Sequence, residues 1–356
     1  MNIDMMNTIR NIPNLIGKKL EQVDQLKTDI GEIKPKKVVV IASGTSYNAA
    51  FTVKVFSERK LSIPVEVIYP NFFNNHFGEQ KIDKDTLYIF ISQGGATKSV
   101  LESINRVNEL RGTTLSITEN LNVPIADAAD FCLEIGSEHE PFIFRTSGYT
   151  LTALTLYILL IELALKKQVI SEKEKNKYYD NLKCLPKDID TTIEIAKEFY
   201  NKNKAQLVNC KEFFFAGGGS LWAVAQEADI KFMEMLPVVS NSFEIEEIIH
   251  GPQNSFTKSI GFFLLANNKN DYDKALKIDS FVRNEVSSFS KVISSKQEKE
   301  NTLLLPDNAK DFIPLTFITF FQVISYLLAT EKGRDLTQKI YPQIDNYINK
   351  TMRVKE

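Results

Sequence analysis

The chain has 356 residues, with 43 Lys and Arg against 45 Asp and Glu, and three histidines. A net charge near zero argues against a polyanion such as nucleic acid as the main partner, and the length accommodates two domains of about 150 residues each plus connecting pieces. Cys132, Cys184 and Cys210 are odd in number, far apart and in no metal-type spacing, so they read as reduced packing residues of a cytoplasmic protein.

The N-terminus lacks a basic segment followed by an apolar run, and no window approaches the roughly 20 consecutive apolar residues of a membrane helix. Leu151 to Leu165 comes nearest and reads as a buried helix, so a soluble, unprocessed chain without a membrane partner is expected. Residues 1–35 form a helical lead-in with a break at Pro13, because Ile9, Ile12, Leu15, Ile16, Leu20, Val23 and Leu26 keep near-helical spacing. Residues 36–165 alternate strand and helix. Lys37 to Ala42, Val65 to Tyr69, Thr86 to Ser92, Thr114 to Thr118 and Phe131 to Ile135 are the predicted strands, and Tyr47 to Arg59 the first helix. This alternation predicts an α/β domain with a doubly wound parallel sheet whose ligand site lies at the carboxyl ends of the strands.

Two of those strand ends carry glycine and hydroxyl residues, Ser43-Gly44-Thr45-Ser46 and Ser92-Gln93-Gly94-Gly95-Ala96-Thr97. Each offers backbone N–H groups and hydroxyls at a helix N-terminus, where the dipole favours an anion. Singly such turns are ordinary caps; as a pair separated by one strand they point to phosphate. A third segment, Pro141 to Thr150, holds Thr146 and Ser147. His76 reads as a surface-loop residue and His139 as exposed between Glu138 and Glu140; neither has a metal-ligand spacing.

Residues 166–205 read as a charged helical connector interrupted by Pro186, residues 206–330 as a second domain and 331–356 as a tail. Phe213 to Phe215, Pro237 to Val239, Gly261 to Leu265, Val292 to Ser295 and Leu303 to Leu305 give a second set of strands, so an internal duplication is the economical reading. Between them, Gly217-Gly218-Gly219-Ser220 opens a helix from Leu221 to Met235 that carries Glu227, Lys231 and Glu234 on one stripe. Glu244, Glu246 and Glu247 then lead into His250-Gly251-Pro252. A Glu227–Lys231 pair at this spacing is commonly a solvated ion pair, and an acidic run before a histidine can be plain surface. Ile313 to Leu328 is a strongly apolar helix, read as core or as a subunit interface.

Taken together these words resemble the sugar isomerase (SIS) family, which includes the isomerase half of glucosamine-6-phosphate synthase and stand-alone fructosamine-6-phosphate deglycases. The resemblance rests on Glu-x6-Glu followed by His-Gly-Pro with a Glu three before the His, on the two hydroxyl loops, and on TIRNIPNLIGKKL near the start. It implies tandem SIS domains, each a five-stranded doubly wound parallel sheet flanked by helices. It places phosphosugar contacts at Gly44, Thr45, Ser46, Ser92, Gln93, Gly94, Thr97, Thr146, Ser147 and Glu247. Glu234 would move the proton between C1 and C2, a task for a partly buried carboxyl, and His250 would help open the ring.

Gly94, Ala96 and Ser147 stand where the family usually has Ser, Glu and Lys, which touches the identity of the sugar more than the fact of binding one. Asn2, rather than a nucleophilic Cys, follows Met1, so glutamine is not the expected nitrogen donor. The tail lacks the family's imine-forming Lys motif and offers Lys339 and Lys350 instead. The resemblance thus implies a deglycase converting a fructosamine 6-phosphate to glucose 6-phosphate and a free amine. Alternatives are an aldose–ketose isomerase, a glucosamine-6-phosphate deaminase, or a non-catalytic sugar-phosphate sensor. No metal or other cofactor is expected. A homodimer is, with the active site at the subunit interface and His250 able to act in trans.

Overall fold

Lys37 to Ile41 carries four β-branched residues in succession, and a run of that kind is stable as a strand covered on both faces, as parallel sheets are. The computed structural model describes residues 4–31, 33–296 and 299–352. The expectation resting on Asn2 and the last four residues of the tail lie outside them. Two compact units emerge: Asn14–Asp180 with Gln338–Glu356, and Asn181–Thr337 with Met1–Pro13. The lead-in and the tail expected as separate segments are therefore shared out between the units.

Helix α1 (Met5–Glu21) runs through Pro13 without the expected break, and the interruption comes at Gln22, before α2 (Val23–Asp29). Pro13 removes one N–H from the helix interior. The buried stripe of Ile9, Ile12, Leu15 and Ile16 maintains the helix across it.

The first unit then follows as β1 (Lys37–Ile41), α3 (Thr45–Phe56), β2 (Val65–Ile68), α4 (Pro70–His76), β3 (Thr86–Ile91), α5 (Lys98–Glu109), β4 (Thr113–Thr118), α6 (Pro124–Ala128), β5 (Phe131–Glu134) and α7 (Ser147–Lys166). Its sheet is five-stranded in the order β2-β1-β3-β4-β5, parallel at every pairing. The chain moves outward from β1 to β2 and then crosses back to β3, so the crevice of a topological switch point lies beyond the carboxyl ends of β1 and β3. The two hydroxyl loops occupy those ends.

The second unit contains α8 (Glu172–Leu182) only at its last residues, then α9 (Leu185–Asn209), β6 (Glu212–Gly217), α10 (Ser220–Met235), β7 (Val239–Glu244), β8 (Ile260–Leu265), α11 (Lys269–Phe281), β9 (Ser290–Ser294), β10 (Thr302–Leu304) and α12 (Pro314–Glu331). Pro186 does not interrupt a helix; it sits in the first turn of α9, where a missing N–H is tolerated. The sheet order is β7-β6-β8-β9-β10, again all parallel, which repeats the strand order of the first unit. Backbone detail repeats as well. Gly44 before α3 has φ 56° and ψ −133°, and Gly219 before α10 has φ 60° and ψ −128°, a conformation reserved for glycine.

Two helices are long and apolar enough to cross a membrane by length and composition, α7 and the stretch Lys310–Glu331 that ends in α12. The first contains Leu151 to Leu165, and the reading of that run as a buried helix holds. Both are core helices, buried almost throughout, with α7 packed on α3 and α12 on α9 and α10. Phe215, Phe232, Phe263 and Phe321 interlock edge to face beside α12, with the Phe263 and Phe321 centroids 5.3 Å apart.

One buried polar clasp in the second unit is open to direct test. Asp188, in the first turn of α9 and 1% exposed, accepts from Asn308 Nδ2 at 2.7 Å and from the Ala309 N–H at 2.8 Å. Removing it leaves the buried Ala309 N–H without its acceptor and releases the Asn308 amide, which is exposed. Asp188→Ala is expected to lower unfolding stability by about 2–3 kcal/mol in a denaturant titration, against less than about 0.5 kcal/mol for the exposed neighbour Asp190→Ala.

Candidate functional site

In the first unit the loop after β1 leaves the N-terminus of α3 without a side-chain cap, and Thr45 and Ser46 lie half-buried in its first turn. The loop after β3 is more enclosed: Ser92 is 7% and Gln93 9% exposed. Ser92 Oγ and Thr97 Oγ1 hydrogen-bond at 2.8 Å across the turn, which draws the start of α5 against the end of β3. α5 is likewise uncapped by any side chain. Two helix starts with uncapped first turns at the carboxyl ends of the switch-point strands form a surface suited to an anion. Gly94 is exposed, and a Cβ there would meet nothing within 4 Å, so the missing side chain leaves open space at the loop.

Thr146 and Ser147 behave differently. Both are fully buried, and Thr146 is committed to Glu140, whose carboxylate accepts from the Thr146 N–H at 2.8 Å, its hydroxyl at 2.7 Å and the Gly148 N–H at 2.9 Å. Glu140 thereby caps α7, as an acid at a helix N-terminus should. Ser147 Oγ is buried with no hydrogen-bond partner among the described residues. Gln93 joins this group to the second loop, donating to Glu140 Oε1 at 3.4 Å. Gly148 makes room for it: a Cβ there would lie 2.1 Å from Gln93 Oε1.

The tail docks on the same loop through its main chain. Thr351 pairs with Thr97 as an antiparallel bridge, the Lys98 N–H donates to the Lys350 carbonyl at 3.1 Å, and the Met352 N–H donates to the Ala96 carbonyl at 2.8 Å. Of the two tail lysines, Lys339 has its ammonium on Asp345 at 2.5 Å, while Lys350 is the one whose backbone lies against the loop.

In the second unit, α10 presents a buried charge array that the sequence reading treated as a common solvated pair. Lys231 and Glu227 have no solvent exposure at all, with Lys231 Nζ 3.5 Å from Glu227 Oε1 and 2.8 Å from Glu234 Oε2. Glu234, 35% exposed, is the member of the array that reaches solvent. The i, i+4 and i, i+3 spacing signalled the proximity; what it did not signal was the depth. His250 ends a 3₁₀ turn, Glu247–Ile249, and is 58% exposed, with Nε2 3.5 Å from Glu246 Oε1. Glu246 also pairs with Lys274, and Glu247 is exposed. Among the described residues no hydrogen bond or ion pair joins Glu234 to His250.

The second switch point differs from the first in kind. Where hydroxyls line the first, Asp271 presses on the glycine turn of the second, so near that a Cβ on Gly218 would lie 2.2 Å from Asp271 Oδ2. Asn268 Nδ2 holds that carboxylate at 2.5 Å. A negative group there repels phosphate. His76 ends helix α4 rather than lying in a loop, and packs against Phe72 with centroids 5.8 Å apart. His139 is exposed, as expected, 4.0 Å from Glu119. The cysteines are free thiols, and burial pushes Cys210 up to about 11.

Comparison with known proteins places residues 33–163 on the model of the SIS domain. The chain is similar to a glutamine–fructose-6-phosphate aminotransferase (isomerizing) of Caldanaerobacter subterraneus subsp. tengcongensis, 26% identical over 322 residues, which covers 89% of this chain and 52% of that protein. It thus spans about half the length of such relatives. Among solved structures, a Clostridium difficile 630 protein provisionally described as a phosphosugar isomerase superposes with TM-score 0.87 at 22% identity, covering 97% of this chain and 98% of that one. The C-terminal domain of glucosamine-fructose-6-phosphate aminotransferase from Francisella tularensis gives TM-score 0.84 at 20% identity, covering 95% and 98%. At these identities the structures establish the fold alone.

The pose of α10 depends on Asp229, 9% exposed, which accepts from Ser242 Oγ at 3.1 Å and from Ser240 Oγ on β7. Burial raises its carboxyl above the ordinary 3.8, only partly offset by those two hydroxyls. The folded form therefore holds the proton more tightly, and the associated stability is complete below 3.8 and lost as pH rises through the higher folded value. The stability advantage of wild type over Asp229→Asn is expected to shrink as pH rises from about 4. Thermal unfolding across pH 3.5 to 7 reads this out, and an advantage that grows with pH would contradict it.

Proposed function

We propose that this chain, which belongs to the SIS domain family through residues 33–163, is a phosphosugar-processing enzyme and acts as a deglycase on a fructosamine 6-phosphate. The observation that carries the reading is the array on α10: a fully buried Lys231 holding the half-exposed carboxylate of Glu234 at 2.8 Å. A carboxylate fixed on one side and open on the other is equipped to take a carbon-bound proton and return it to the neighbouring carbon.

In this reading the 6-phosphate is held by Ser46, Ser92, Gln93 and Thr97 with the loop backbone of Gly44, Thr45 and Gly94. His250 assists ring opening. Glu234 removes the proton from C1 of the open-chain ketose and delivers it to C2, while the N–H proton passes to the C2 oxygen, which leaves a hydroxyl at C2 and an imine between C1 and the amine. Water adds to that imine, and glucose 6-phosphate and the free amine are released. Glu247 contacts substrate beside His250. Thr146 acts through Glu140 rather than by touching phosphate, which its burial and its two bonds to that carboxylate support, and Ser147 is buried next to it. The homodimer, with His250 able to serve the partner's site, belongs to the same reading.

Glu234→Gln keeps the shape and removes the base. Turnover measured as glucose 6-phosphate release is expected to fall by about 10²–10⁴-fold while affinity for sugar phosphate stays within a few-fold. Release only from fructose 6-phosphate with ammonia, or from plain aldose phosphates, would move the assignment to deaminase or isomerase. Gly94→Ser tests the loop separately. The space at Gly94 admits a hydroxyl, so this variant should bind fructose 6-phosphate about 2–10-fold more tightly by calorimetry, the worth of one added hydrogen bond.

A further inference from the structure

Beyond the carboxyl ends of β3, β4 and β5, a cleft of about 620 Å³ opens beside the second phosphate loop, lined by Gln93, Gly94, Glu119, Glu134, Ser137 and His139 among others. Gln93 and Gly94 belong to both the loop and the cleft, so a ligand whose phosphate sits on the loop can extend into it. The lining holds two carboxylates and neither Lys nor Arg.

Its polar groups are incompletely satisfied. Glu119, 15% exposed, accepts from Gln93 Nε2 at 3.4 Å on Oε2, while Oε1 has no hydrogen-bond partner, with His139 Nδ1 4.0 Å away. Ser137 is 8% exposed, lines the same cleft, and its hydroxyl also has no partner among the described residues. Unpartnered polar atoms shielded from water, Glu119 Oε1 and the Ser137 hydroxyl here, are costly unless a ligand bonds to them. The cations behind the wall do not supply that donor. Lys19 Nζ donates to the Glu134 carbonyl and Arg145 Nη1 to the Glu140 carbonyl at 3.3 Å. Burial raises the Glu119 carboxyl, with Arg145, Gln93 and His139 pulling the other way.

We infer that this cleft binds an ammonium group on the amine portion of the substrate, so that the preferred fructosamine 6-phosphate is one formed on a diamine, its second amino group donating to Glu119 Oε1 and Ser137 Oγ. The inference rests on the deglycase reading for the identity of the amine, while the binding preference itself does not require turnover. Gly94 contributes by its lack of a side chain, which leaves the passage from loop to cleft open.

The test uses the full chain and two conjugates of 1-deoxyfructose 6-phosphate, one on 1,5-diaminopentane and one on pentylamine, alike except for the terminal ammonium. In calorimetry the diamine conjugate is expected to bind on the order of tenfold more tightly. In Glu119→Gln that preference should fall below about twofold, and in Ser137→Ala to about threefold, with fructose 6-phosphate binding unchanged in both. Equal affinity of the two conjugates for wild type overturns the inference, and so does a preference that survives Glu119→Gln. Glucose 6-phosphate is assayed in the same samples. A diamine preference without its release supports the cleft and overturns the deglycase reading, and failure of both conjugates to bind where fructose 6-phosphate binds overturns both.

Discussion

A lysine ammonium with no exposure to water must be paired, and the pairing of Lys231 is the constraint on which the rest of the candidate chemistry depends. Taking such a charge out of water costs several kcal/mol unless carboxylates meet it at hydrogen-bond range. Helical geometry supplies two of them, Glu227 one turn before and Glu234 one turn after. Glu227 shares the burial and balances the charge, so Glu234 is free to be the outer member, bonded through Oε2 and open beyond it. The orientation of that carboxyl is therefore set by core packing. Phe213, Phe215 and Phe232 lock α10 to β6 by edge-to-face contacts, with Phe232 4.8 Å and 4.9 Å from the other two centroids, and Asp229 ties the helix to β7.

The same strand order and the same glycine conformation occur in both units, yet the ends of their switch-point strands carry opposite chemistry. Hydroxyls and uncapped helix starts in the first unit are complementary to an anion. Asp271 in the second excludes one. With its glycine turn closed to phosphate, the helix behind that turn carries an ionic array in place of a phosphate site. The first unit makes a comparable use of a buried acid in Glu140, which satisfies the start of α7 and, through Gln93, steadies the loop after β3.

Much of this was legible in the sequence. Strands β1, β3 and β8 are continuous apolar runs bounded by glycine or hydroxyl turns, a pattern that marks buried parallel strands, and their limits fell within a residue or two of the structure. Strand β7 was displaced because its residues Val239–Glu244 are mostly polar; pairing with β6 holds it in the sheet, and Asp229 receives the hydroxyls of Ser240 and Ser242, a fact no local pattern carries. Pro13 was read as a break because propensity disfavours it, whereas tertiary burial of the surrounding isoleucines outweighed the lost hydrogen bond. The spacing of Glu227, Lys231 and Glu234 was visible, but depth is a property of packing. Glu119 and Ser137 had no motif around them; they are brought together by the adjacency of β4 and β5.

The tail shows how a segment can be held without demands on its side chains. Its attachment to the loop after β3 runs through main-chain groups of Lys350, Thr351 and Met352, and main-chain hydrogen bonds place no demand on side chains. Docking of this kind does not depend on the imine-forming lysine motif that the resemblance implies and this tail lacks, a motif that would present an amine to the sugar. On the deglycase reading that amine is superfluous. A fructosamine brings its own nitrogen at C1, so moving one proton from C1 to C2, with the N–H proton passing to the C2 oxygen, generates the imine without an amine from the protein. A carboxyl to carry the proton, a phosphate grip and a place for the departing amine are what such a reaction asks of the chain, and the divergence of the tail fits that shorter requirement.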